Sequence, residues 1–346
     1  MTNKKFKLAA MSLATAVAVS TVGPSASAVT YYLSDGSVTV DQDNNGAYSY
    51  QNKTDGKTEN VYVDEDTQDN GQIIIKQAED TTTDTTTGNT VTVEENVTNE
   101  NGKRDVDIII DGVNVDTSDT STQTDTPAEV LTDNKEDKTI IKVGEGADVD
   151  LTVMDSNLTT GGNGIDIGVD LDGKDENDEN KETNVDLTLD NTKINLTEKD
   201  NTAGIVARDN STVDVTLKGE NTIDGKEALE DAAKEAEEAK KEGTSSPNRN
   251  VEGIRVGGNG VCDDSSGEGA SLTIKGDENS EQGSLKIDHT YTGMVISNGS
   301  DVTLTDNADV DINNTDAGST TQGGRGIVQR GDLAIEDNSS LTIDTV

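Results

Sequence analysis

An all-β fold, the right-handed parallel β-helix with three short strands per coil, is what this sequence predicts. Three observations predict it. A four-residue phrase, Asp-apolar-Thr-apolar, recurs along the chain. A turn-forming pair follows each copy. Hydrophobic residues make up only 30% and aromatics 2% of the chain, which is enough when each repeat shares its core with the next.

The chain opens on a secretory signal. Lys4, Lys5 and Lys7 form a positive start, Leu8 to Val19 an apolar stretch too short to span a bilayer, and Ala26-Ser27-Ala28 a small-x-small cleavage site. Residues 1–28 are therefore expected to be removed, placing the protein outside the cell, secreted or held at its surface. No later segment is apolar enough to cross a membrane. Residues 29–70 fit the repeat poorly. Val38-Thr-Val40 and Ala47-Tyr-Ser-Tyr50 flank Asp41-Gln-Asp-Asn-Asn-Gly46, which reads as a hairpin capping the N-terminal end.

The repeats fill residues 71–346. The phrase stands at Asp150-Leu-Thr-Val153, Asp186-Leu-Thr-Leu189, Asp214-Val-Thr-Leu217 and Asp301-Val-Thr-Leu304. Looser copies are Asp107-Ile-Ile-Ile110, Ser271-Leu-Thr-Ile274 and Asp332-Leu-Ala-Ile335. Period-two alternation puts Leu151 and Val153 on one side, Asp150 and Thr152 on the other. Pairs such as Asp111-Gly112, Asp190-Asn191 and Lys218-Gly219 suit tight bends. A second strand follows (Ile194 to Leu196, Val310 to Ile312), then a third opening on Gly (Gly204-Ile205, Gly253-Ile254, Gly293-Met294). The handedness comes from the general crossover rule. A β-sandwich of many short strands is the competing fold.

Insertions are expected at 117–138, 168–184, 225–250 and 257–269. Lys226 to Glu242 is rich in Glu, Ala and Lys and has no β-branched residue. This predicts a helix ended by Gly243, its thin stripe of Leu229, Ala232, Ala233 and Ala236 resting on the solenoid. The chain closes on Leu341 to Val346, which reads as a strand. No wall-sorting signal follows, leaving either a released protein or part of a longer one.

Composition narrows the function. With 27 Lys+Arg against 69 Asp+Glu, the formal net charge is −42, which excludes phosphate-tracking nucleic-acid binders. One cysteine and one histidine exclude an internal disulfide and a Cys/His zinc site, and leave Ser-His or Cys-His catalysis only His289.

The phrase also has a chemical consequence. Coils stack about 4.8 Å apart, so Asp107, Asp150, Asp186, Asp214, Asp301 and Asp332 are expected in one column, interrupted at Ser271. Thr152, Thr188, Thr216, Thr273 and Thr303 are expected in a second. Stacked carboxylates repel, and solvation, raised pKa values or bound cations can each relieve that. Ca²⁺ is the cation such an oxygen-rich surface suits. Rows of Asp and Thr offer a polysaccharide regular hydrogen-bond partners, so Asp150, Thr152, Asp186, Thr188, Asp214, Thr216, Asp301 and Thr303 are candidate ligand contacts. Asp41, Asp43 and Asn45, opening an Asp-x-Asp-x-Asn-Gly loop, are the metal candidates. Position twelve of that loop is Asn52, not the Glu a calcium loop needs, and a plain hairpin turn has the same residues. No catalytic residue is assigned. A β-elimination lyase needs Ca²⁺ carboxylates and an Arg or Lys base. Arg208 and Arg255, at comparable third-strand positions, read instead as partners of neighbouring acids.

At the phrases Ile108-Ile-Ile-Asp-Gly-Val-Asn-Val-Asp116 and Ile141-Lys-Val-Gly-Glu-Gly-Ala-Asp-Val-Asp-Leu-Thr-Val153, the chain resembles pectate-lyase-like β-helix domains of secreted Gram-positive bacterial proteins, many classed as carbohydrate-binding domains or surface adhesins. Tyr31-Tyr-Leu-Ser-Asp-Gly-Ser-Val-Thr-Val40 is similar to their opening strand. The resemblance implies the fold and, as an expectation, binding of polysaccharide, host or cell-wall glycan, often with Ca²⁺. A structural stalk or adhesin segment of a longer surface protein is the alternative, and a polysaccharide lyase a third.

Overall fold

The computed structural model of the chain describes residues 29–42, 48–54, 57–58, 72–78, 86–95, 97, 107–118, 138–171, 181–244, 250–258, 269–277, 283–313 and 324–344. The expected signal segment lies outside these residues, as do most of the insertions expected at 117–138, 168–184 and 257–269. The fold is a right-handed parallel β-helix. Strands of the first, second and third positions in each coil form a nine-stranded, a seven-stranded and a ten-stranded sheet respectively.

Alternation builds the core. In the first sheet Val149, Val185, Val213, Leu272 and Val302 lie in register and point inward. Beside them run Ile73, Ile108, Leu151, Leu187, Val215, Ile274 and Leu304. All of these are buried. Each such side chain contributes roughly 1.5–3 kcal/mol of apolar burial, and stacking makes every coil depend on the one below it.

Corners obey turn chemistry. After the first-sheet strands, Gly112, Asp155, Asn191, Gly219, Asp306 and Asp337 all have positive φ, the left-handed region that Gly, Asn and Asp tolerate best. Backbone N–H groups at several corners are satisfied by side chains of the next coil. Gly146 N donates to Thr183 Oγ1 at 3.0 Å, Val113 N to Ser156 Oγ at 3.2 Å and Ala270 N to Ser300 Oγ at 3.0 Å. The glycines that open the third strands have another role. A Cβ on Gly253 would lie 2.4 Å from the Gly293 carbonyl oxygen and 2.4 Å from Ile287 Cγ2. No side chain fits between those coils.

The N-terminal end combines a coil with a cap. Val29–Tyr32 pairs in parallel with Gln72–Lys76, so the first sheet already begins at Val29. Val38–Gln42 pairs in parallel with Val91–Val93 on one side and antiparallel with Tyr48–Thr54 on the other. That hairpin covers the edge which stacking would leave open.

One inserted helix, Lys226–Glu242, leaves the corner between the second and third sheets. The Lys226 N–H donates to Asp224 Oδ1 at 3.0 Å. Gly243, with φ of 73°, closes the C-terminus by donating its N–H to the Ala239 carbonyl. Ala228, Leu229 and Ala232 are buried and Ala233 and Ala236 half-buried, with the helix packed on Lys193–Leu196.

The expected side-chain columns need a correction. Asp107, Asp150, Asp186 and Asp214 do lie in register, but Asp214 then pairs with Thr273, and Thr273 with Thr303. Asp301 pairs with Ser271 and Asp332, in the column of Thr212 and Asn184. The phrase slips by two residues between the coils of Asp214 and Ser271. The corner sets this register. Three strands before the slip carry an extra alternating pair ahead of the phrase (Asp148-Val149, Asn184-Val185, Thr212-Val213), and those after it begin on the phrase itself. A slip of two keeps every side chain on its face, so the core tolerates it.

Candidate functional site

Three surfaces hold the side chains that could bind or react. The first is the outward face of the first sheet. Asp150, Thr152, Thr188, Asp214, Thr216 and Thr303 are half-buried on it, and Asp186 and Asp301 exposed. Asp150, Asp186 and Asp214 stand side by side, with Thr152, Thr188 and Thr216 one column over. The slip brings Lys275 into the Thr216 position. Its Nζ lies 2.5 Å from Asp214 Oδ2. That hydrogen bond, with the charges of Asp214, Asp186 and Asp306, holds the ammonium above the ordinary lysine range. The aspartate column thus runs over four coils and gives way to Thr273, its last member held by a cation from the neighbouring column. Asp301 and Thr303 belong to a second stretch, where Ser271 Oγ donates to Asp301 Oδ2 at 2.7 Å.

The second surface is the outward face of the third sheet, where Ile165–Val169, Thr202–Ala207 and Val251–Val256 are buried on both sides. The buried acids there carry arginine partners. Arg208 donates Nε and Nη2 to the two oxygens of Asp166, both at 2.8 Å. Arg255 donates in the same bidentate way to Glu252, both at 2.7 Å. Asn163 Nδ2 adds a third donor to Asp166 at 2.8 Å. Burial pushes the Glu252 carboxyl above its ordinary range, and Arg255 pulls against that. The two arginines are not equivalent in register, since Arg255 pairs with Val206 and Arg208 lies two residues further on. Both serve as partners of neighbouring acids.

The third surface escaped the sequence reading. The inserted helix and the second sheet enclose a groove of about 490 Å³, with Thr159, Asn195 and Asp224 along the sheet and Glu227, Glu230 and Asp231 on the helix. Asn195 Nδ2 donates to Thr159 Oγ1 at 3.2 Å and to Asn157 Oδ1 at 2.9 Å. Asp224 Oδ1 sits 3.0 Å from His289 Nδ1. The sequence signal was available, since Glu227 and Glu230 are three apart on an expected helix and so share a face.

Of the metal candidates, Asp41 lies beside Glu94, whose carboxyl is pushed up by burial first and by Asp41 second. Asp43 and Asn45 lie outside the described residues, as does Cys262. Among the described residues no three acidic, His or Cys side chains converge as a metal cage. No described helix is long and apolar enough to cross a membrane. No protein-family model matches the chain, and no curated protein or solved structure is significantly similar to it. What stands of the expected family likeness is the parallel β-helix itself.

Proposed function

We propose that this chain is a secreted or cell-surface, non-catalytic β-helix that binds an extended polysaccharide along the outward face of its first sheet, with Ca²⁺ as a bridging ion. One observation carries this reading: Asp150, Asp186 and Asp214 stack in register beside Thr152, Thr188 and Thr216. A polymer of repeating hydroxyls meets the same donors and acceptors at each step of about 4.8 Å. Since no three acids converge among the described residues, an ion there would be shared between stacked carboxylates and completed by sugar or water oxygens. The engagement of Arg208 and Arg255 with buried acids supports a binding rather than a lyase role.

A glycan array run with and without chelator tests the reading on three proteins: the full chain, an Asp186→Ala/Thr188→Ala variant and a Glu227→Gln/Glu230→Gln variant. Binding by the first and third, lost in the second and on chelation, is the expected pattern. Loss only in the helix variant would move the site to the groove. A flat signal across plant and mucin polysaccharides would remove the function altogether.

A further inference from the structure

We propose that Asn298–Gly299 is a site of spontaneous deamidation in the folded protein, and that the fold shields the equivalent dipeptide Asn163–Gly164. Six Asn-Gly pairs occur in the sequence, at 45–46, 70–71, 101–102, 163–164, 259–260 and 298–299. The pairs at 163 and 298 lie within the described residues.

The reaction is an intramolecular acyl transfer. The Gly299 backbone nitrogen gives its proton to solvent base and attacks Asn298 Cγ. A new N–Cγ bond forms, the Cγ–Nδ2 bond breaks, and ammonia leaves with a proton returned from solvent. Water then opens the cyclic imide at either carbonyl, producing aspartate or isoaspartate. The step needs an exposed amide, a free nucleophilic N–H and room for the backbone to rotate. Asn298 and Gly299 are both exposed. They occupy a tight turn closed by Ser300 N donating to the Ser297 carbonyl at 3.2 Å. Among the described residues neither the Gly299 N–H nor the Asn298 side chain has a hydrogen-bond partner.

Asn163–Gly164 has the same sequence in the opposite setting. The Gly164 N–H donates to the Ala203 carbonyl at 3.0 Å. Asn163 Nδ2 donates to Asp166 Oδ2 at 2.8 Å, and its Oδ1 accepts the Ala203 N–H at 3.0 Å. That backbone is also held against rotation, since the Asn163 and Gly164 carbonyls accept the Ile140 and Ile141 N–H groups at 3.2 and 3.1 Å. Each of the three hydrogen bonds on the reacting groups slows the attack by roughly two- to ten-fold, so Asn163 trails Asn298 by on the order of a hundred-fold.

Isoaspartate would also disturb the coil. It adds a methylene to the main chain at 298. The neighbouring carbonyls have no slack, since a Cβ on Gly269 would meet the Gly299 oxygen at 2.0 Å and one on Gly331 the Ser300 oxygen at 1.9 Å. The test is to age the full chain in mildly alkaline buffer, native and in urea, and follow both amides by peptide mass spectrometry. Native protein should convert Asn298 on the order of a hundred-fold faster than Asn163, while urea brings the two rates together. An Asn298→Gln variant should lose the fast conversion. Equal native rates at the two sites, or fast conversion persisting in that variant, would overturn the proposal.

Discussion

The outward faces of the first and third sheets use the same parallel ladder and the same alternation, yet they handle charge in opposite ways. On the first, Asp150, Asp186 and Asp214 repeat one acid coil after coil, half-buried or exposed. On the third, Asp166 and Glu252 are 3% and 4% exposed, and each carries its own bidentate arginine. Parallel stacking copies whatever residue a position holds. Where water reaches the face, a copied acid is affordable and creates a regular surface. Where it does not, an unpaired charge costs several kcal/mol and a partner must be supplied.

The largest expected effect breaks a third-sheet pair. Glu252→Gln leaves Arg255 buried without a countercharge and should cost about 3–5 kcal/mol, measured by denaturant unfolding. The Glu252→Leu/Arg255→Leu double variant should recover most of that loss. A double variant as unstable as the single would mean that the pair holds the sheet by more than charge. Next in size is Gly253→Ala, whose Cβ meets Ile287 and the Gly293 carbonyl. It should cost roughly 1–3 kcal/mol, and a neutral result would show that the third-sheet corner has slack.

Changes on the first sheet should be smaller. Lys275→Met should cost at most about 1 kcal/mol, because the pair with Asp214 is partly exposed and screened. Its pH dependence has a definite sign. The folded-state pKa of Lys275 lies above the ordinary 10.5, so its contribution is complete below that value and is lost as pH rises through the raised one. Thermal melts of Lys275→Met should therefore fall less steeply at alkaline pH. Smallest of all, Asp186→Asn removes one member of the acid column and should stabilise by about 0.2–1 kcal/mol, more at low salt. Destabilisation would mean that the column is held by something other than water.

Much of this was legible in advance. Period-two alternation marked the first-sheet strands, Asp, Asn and Gly marked the corners, and the helix runs over Lys226–Glu242 with Gly243 as its cap. Two expectations failed: the comparable placing of Arg208 and Arg255, and the continuous column through Asp301 and Asp332. Aligning the phrase to itself ignored the extra pair that opens the strands at Asp148, Asn184 and Thr212. The groove was missed because it needs helix and sheet together, although each was visible alone.

The sequence by itself determined which way each side chain faces, where the chain bends and how acidic the surface is. These properties depend on neighbours a few residues away, whose sterics and hydrogen bonds act locally. Only the tertiary structure decided which residue of one coil stands on which of the next, which acids Arg208 and Arg255 grip, and which Asn-Gly pair is left open. Those outcomes are set at corners, where a hydroxyl or a missing Cβ from a coil some 30 to 40 residues distant determines the fit.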